Sequence, residues 1–136
     1  MVRTASVGFE GCNLSYTVRG SGPAVLLIQG VGVQGDAWTP QTDDLARDFT
    51  CMTFDNRGMG RSQPSGTAIT VEQMARDATA ILDAARLPEA HVVGHSLGGV
   101  VALQLGINRR SSVLNSARCD NPTRPRGSTS SQTSRW

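Results

Sequence analysis

Gly94-His95-Ser96-Leu97-Gly98 is the run whose residue types and spacing can do chemistry. A serine with a glycine two residues to either side fits a nucleophile lifted on a sharp turn between a strand and a helix. The glycines let the strand and helix approach without a clash. The helix N-terminus below adds positive potential where negative charge develops. A hydroxyl so placed can attack an acyl carbon, provided that two backbone N–H groups receive the oxyanion. Leu97, which follows the serine, is the candidate for one. Val31, in the loop Gln29-Gly30-Val31-Gly32, is the candidate for the other. The same pentapeptide can arise by chance among 15 glycines, and the loop can be an ordinary glycine turn, so the flanking elements decide.

Those elements are present. Ala90-His91-Val92-Val93 reads as a short strand, and Leu97 to about Ile107 as an apolar helix. Upstream, residues 13–19 alternate as a strand does, and Gly20-Ser21-Gly22-Pro23 marks a turn. Ala24-Val25-Leu26-Leu27-Ile28 is a continuous apolar run, as in a strand buried on both faces of a parallel sheet. Asp36 is a candidate N-cap for a helix reaching about Asp48, with Trp38 and Leu45 among its apolar positions. Trp38 and Met59 are candidates for a pocket mouth or, more simply, for the core. Thr50 to Phe54 reads as a strand, and Asp55 to Pro64 as a glycine-rich loop. Thr70 is a candidate cap for a helix with Val71, Met74, Ala75, Ala78, Ile81, Leu82 and Ala85 at helical spacing. Alternation of strands and helices predicts an α/β fold, a mostly parallel sheet with helices on both faces.

The pattern stops after Asn108. Residues 1–108 carry a net charge of −3 and residues 109–136 a net +5, so two kinds of sequence are joined. The second stretch is rich in Ser, Arg, Thr and Pro and shows neither helical nor strand period; its composition predicts a disordered basic tail. All 13 basic residues are arginine, a bias of GC-rich coding sequence, whose shifted frames yield Arg, Pro and Ser. The tail is therefore expected to be out-of-frame translation of a longer gene. Six arginines with Trp136 as their one aromatic predict no specific nucleic-acid binding. Three cysteines, Cys12, Cys51 and Cys119, show no metal-like spacing; with no secretory signal and no apolar run of membrane length, a cytoplasmic protein is expected.

Residues 1–108 resemble the N-terminal half of the α/β-hydrolase superfamily, in its esterase, enol-lactonase and peroxidase-like branch. Three features in order carry the resemblance: the glycine loop at 29–32, Asp55-Asn56-Arg57-Gly58-Met59-Gly60-Arg61-Ser62, and the turn at 94–98. Gln29 departs from the histidine common among relatives. The resemblance implies a truncated α/β-hydrolase fold and a cofactor-independent serine hydrolase acting on carboxylic esters or lactones. It further implies that Asp55 and Arg57 fix a loop, and that an acid and then a histidine follow the serine in the chain. Neither is in place here. His91 and His95 both precede Ser96, and Asp120 is the one acidic residue after it. His91 lies about 16 Å from Ser96 at roughly 3.3 Å per strand residue, and the adjacent His95 should point away. Impaired catalysis is the expectation.

Two other readings stay open. One is a non-catalytic homologue that binds a small acyl ligand or a partner chain, or associates with itself through an exposed sheet edge. The other is a dinucleotide site at Gly30-x-Gly32-x-x-Gly35, which follows a strand and precedes a helix, with Asp55 as the acidic residue further on. No metal site stands out.

Overall fold

The computed structural model describes residues 1–109 and the backbone of Val113–Asn115. The strands are β1 (Val2–Phe9), β2 (Cys12–Gly20), β3 (Ala24–Ile28), β4 (Thr50–Phe54), β5 (Ala90–Gly94) and β6 (Val113–Asn115). The helices are α1 (Thr39–Leu45), α2 (Val71–Ala84) and α3 (Leu97–Asn108). They form one sheet in the order β1-β2-β4-β3-β5-β6. β3 pairs in parallel with β4 and β5, and β5 with β6, while β1, β2 and β4 run antiparallel to one another in turn. The parallel part of the expected sheet thus carries an antiparallel edge.

All five residues of β3 are buried, which explains its unbroken apolar run. Successive strand side chains point to opposite faces. Leu26 and Ile28 join the larger core with Ala75, Ala78 and Ile81 of α2 and Val101 and Leu105 of α3. Val25 and Leu27 face the other way, with Cys51, Trp38 and Leu45. Helices therefore cover both faces of the sheet.

Thr70 caps α2 as its type predicts, its hydroxyl accepting from the Gln73 N–H at 3.1 Å. The capping role expected of Asp36 is not found. A 3₁₀ turn, Gly35–Trp38, comes first, and Asp36 lies inside it. The α-helix begins only at Thr39, with Pro40 in its first turn, where a proline's fixed φ and missing N–H cost nothing. It ends at Leu45, short of Asp48. Strand β1 went unread in the sequence; Ala5, Val7 and Phe9 alternate against the core, but Arg3 and Thr4 are exposed and dilute the signal. The tail expected at 109–136 falls outside the described residues, except for Arg109 and the β6 backbone. Among the described residues, no helix is long and apolar enough to cross a membrane.

Candidate functional site

β5 ends at Gly94 and α3 begins at Leu97, so two residues make the turn between them. Ser96 takes φ 56°, ψ −125°, a left-handed φ that strains a residue with a side chain. Two close approaches hold it there. A Cβ on Gly94 would come within 2.5 Å of the Gly98 carbonyl carbon and the Gly99 nitrogen. A Cβ on Gly98 would come within 2.7 Å of the Ile28 carbonyl carbon and 2.8 Å of the Gln29 oxygen. Glycine at both positions is what lets α3 start directly against the ends of β3 and β5. The backbone closes the turn: His95 N–H donates to Ile28 O (3.0 Å), Gly98 N–H to His95 O (2.9 Å) and Gly99 N–H to Ser96 O (2.9 Å).

The glycine loop after β3 leans on this turn. A Cβ on Gly30 would sit 3.2 Å from Ser96 Cβ and 3.6 Å from its Oγ. Val31 comes next and is 69% exposed. Leu97 is the first residue of α3, where N–H groups lack intrahelical partners. Among the described hydrogen bonds, none engages the Val31 or Leu97 N–H. Ser96 itself is exposed. The three predicted site residues thus gather at the C-terminal ends of two adjacent strands.

His91 does not join them. His91 pairs with Val25 near the start of β5, at the far end of the strand from the turn. His95 lines a cleft of about 250 Å³ with Gln29, Val33, Ala37, Trp38 and Gln41. Trp38 therefore serves both expected roles, lining this cleft and packing on Val25 and Leu27. Met59 is half-buried in its loop.

Asp55 and Arg57 hold loops, as the resemblance implies. The buried Asp55 carboxylate accepts from the Gly35 N–H (2.8 Å) and the Arg61 N–H (2.9 Å). The Arg57 side chain is 0% exposed and donates to both Asp77 oxygens, at 2.7 and 2.6 Å. It also donates to Ser65 O (2.6 Å), Thr67 Oγ1 (3.1 Å) and Glu10 O (3.3 Å). The Asp77 carboxylate pushes the Arg57 pKa up, beyond its already high ordinary value. Asp77 and Gln29 are the residues that sequence reasoning undervalued. Each acts through a partner 20 or more positions away, which no local pattern reveals.

The glycines at 30, 32 and 35 are used differently from those of a dinucleotide loop. Gly35 packs on β4, where a Cβ would meet Phe54 O at 2.7 Å, and the loop runs into a 3₁₀ turn and the seven-residue α1. The long helix N-terminus that would face a pyrophosphate is not there. Among the described residues, no three His, Cys, Asp or Glu side chains are grouped to hold a metal ion.

Known proteins share this fold. The family model described as alpha/beta hydrolase fold matches residues 23–128, running past Asn108 into the stretch set apart by composition. A protein of Azorhizobium caulinodans that carries the name "Putative carbamate hydrolase RutD" is 36% identical over 95 residues, covering 70% of this chain and 36% of the relative. Among solved structures, Est816, described as an N-acyl homoserine lactone degrading enzyme, is 30% identical with a TM-score of 0.77, covering 80% of this chain and 42% of that one. The epoxide hydrolase CorEH is 26% identical with a TM-score of 0.78, covering 83% of this chain and 40% of that one. The chain thus spans about two-fifths of the length of these relatives.

Proposed function

The chain belongs to the alpha/beta hydrolase fold family, and on that premise we propose that Ser96 is the nucleophile of an acyl-transfer site for carboxylic esters or lactones. The observation that carries this reading is the strained backbone of Ser96, held between strand and helix beside a Gly30 whose missing side chain leaves room for the serine. Strain of this kind persists only where the surroundings enforce it, and it marks functional positions. In the proposed reaction the Ser96 hydroxyl attacks the acyl carbon. The Leu97 and Val31 N–H groups receive the oxyanion; the acyl C–O bond then breaks, its alkoxide oxygen takes up the proton that the serine gave up (in a lactone this alcohol stays tethered), and water hydrolyses the acyl-Ser96 ester. The likeness to Est816 supports the lactone class in particular.

Turnover by these 136 residues is expected to be feeble. The hydroxyl must lose its proton; His91 lies at the far end of β5, and His95, next to the serine in the chain, is expected to point away from it. Loss of the triad histidine costs on the order of 10⁶-fold in kcat in a serine protease, and the oxyanion site and binding sustain what remains. A fluorophosphonate probe tests the nucleophile directly. Intact mass should show one adduct on the folded chain, absent from Ser96→Ala. Labelling of Ser96 no faster than in denatured protein would sink the proposal.

A second reading has its own observation. Val100, Leu103 and Ile107 of α3 are 50%, 62% and 64% exposed, an apolar stripe at i, i+3 and i+7. Such a face favours association of the chain with a further copy or another partner. Sedimentation velocity over a concentration series tests it, and a monomer throughout would count against it.

A further inference from the structure

The loop between β3 and α1 is fastened at both ends to one place, the end of β4. At its start, the buried Gln29 side chain donates through Nε2 to Phe54 O at 2.6 Å. At its far end, the Gly35 N–H donates to Asp55 Oδ1 at 2.8 Å. Asp55 is itself held, its other oxygen accepting from the Arg61 N–H at 2.9 Å. Between the two fastenings, Val31 to Gln34 are exposed, and Gly32 adopts φ +73°. The donor in the Gln29 amide is fixed by its partner, because a reversed amide would set oxygen against the Phe54 carbonyl oxygen. Its Oε1 is buried without a hydrogen-bond partner among the described residues. A buried, half-satisfied amide is a costly choice where an apolar side chain would fill the space.

Resting on the roles of Ser96 and Val31 given above, we propose that Gln29 is a positioning residue. Together with Asp55 it hangs the Gly30–Gln34 segment from β4 and so sets where the Val31 N–H stands beside Ser96. Val31 lies two residues from Gln29 and adjoins Gly30, where a side chain would run into Ser96. A displacement of about 1 Å at such a donor can cost on the order of 10²-fold in rate. The Asp55–Ser62 segment thereby acquires a task beyond loop closure: it supplies the anchor for the oxyanion loop on the neighbouring strand.

Gln29→Leu removes the donor with little change in volume, and removes the unpaired oxygen with it, so the fold should survive. Gln29→His keeps a ring N–H for Phe54 O. Two readouts are measured on the whole chain. One is the rate of Ser96 phosphonylation. The other is the ¹⁵N order parameter of Gly30 to Val33, which needs no chemistry at the serine. Gln29→Leu should label about 10–100-fold more slowly, as expected for a misplaced oxyanion donor, and Gln29→His should recover the larger part. The order parameters should fall from near 0.85 to below about 0.6 in Gln29→Leu alone. Wild-type rate and unchanged order in Gln29→Leu would overturn the proposal, as would a loop already mobile in the wild type. Should the wild type fail to label at all, the nucleophile reading falls, and the order parameters still decide the role of Gln29. Gln29→Met repeats both measurements if leucine does not pack.

Discussion

Gly98→Ala and Gly106→Ala make the same change in the same helix, α3, yet the surroundings predict opposite signs. Replacing a helical glycine by alanine ordinarily stabilises by about 0.8–1.0 kcal/mol. At Gly106 a Cβ meets nothing within 4 Å, so that gain should appear nearly in full. At Gly98 the new methyl would run into the Ile28 carbonyl oxygen and lie 2.7 Å from its carbon and 2.8 Å from Gln29 O. Carbon atoms pack at about 3.5–4.0 Å, so α3 must retreat by at least about 1 Å from the ends of β3. Forcing a methyl into a filled site costs about 1–3 kcal/mol. The retreat also threatens the bond from His95 N–H to Ile28 O, worth about 1 kcal/mol. Net of the propensity gain, Gly98→Ala should destabilise by about 1–3 kcal/mol, putting the two variants about 2–4 kcal/mol apart. Urea unfolding followed by far-UV circular dichroism reads both. Two shifts of the same sign would refute the view that close packing, rather than backbone freedom, requires Gly98.

Asp77→Ala leaves the buried Arg57 guanidinium without its two bonds to a carboxylate, and should destabilise by about 3–5 kcal/mol in urea unfolding. The double variant Arg57→Met, Asp77→Leu should recover only part of this, because Ser65 O, Glu10 O and Thr67 Oγ1 then lose their donor. Burial pushes the Cys12 and Cys51 thiols up. A folded pKa above the unfolded value near 8.5 means stability fully present below that pH and declining as pH rises past it. Urea midpoints should therefore fall between about pH 8.5 and 10, and the slope should flatten in Cys12→Ala, Cys51→Ala. Leu103→Glu on the exposed face of α3 should lower the weight-average mass in sedimentation velocity without lowering the urea midpoint.

The elements legible in the sequence are those whose signal is local. β3 shows itself by an unbroken apolar run, α2 by apolar spacing behind the Thr70 cap, and the turn at Ser96 by glycines that two backbone approaches demand. What escaped depends on distance or on balance. The pairing of Arg57 with Asp77 spans 20 residues and that of Gln29 with Phe54 spans 25, so neither leaves a periodic trace. Asp36 looks like a cap by type, but Gly35 buried against β4 and Pro40 in the following turn settle where the helix begins. α3 is apolar all round, so periodicity could place the helix but could not tell its covered face (Val101, Leu105) from its exposed one (Val100, Leu103, Ile107).

The buried Arg57 has a consequence for how the molecule comes apart. Its guanidinium reaches the turn after β1, the segment at 65–67 and α2, pieces far apart along the chain. β1 at the sheet edge would otherwise be the natural piece to peel away, since it pairs with β2 alone and none of its residues is fully buried. To leave, it must strip a partner from a buried cation. β1 should thus open with the core as a single cooperative unit. Its amides that are bonded to β2 would exchange at the global rate, and a protease would find no early cut between Phe9 and Cys12.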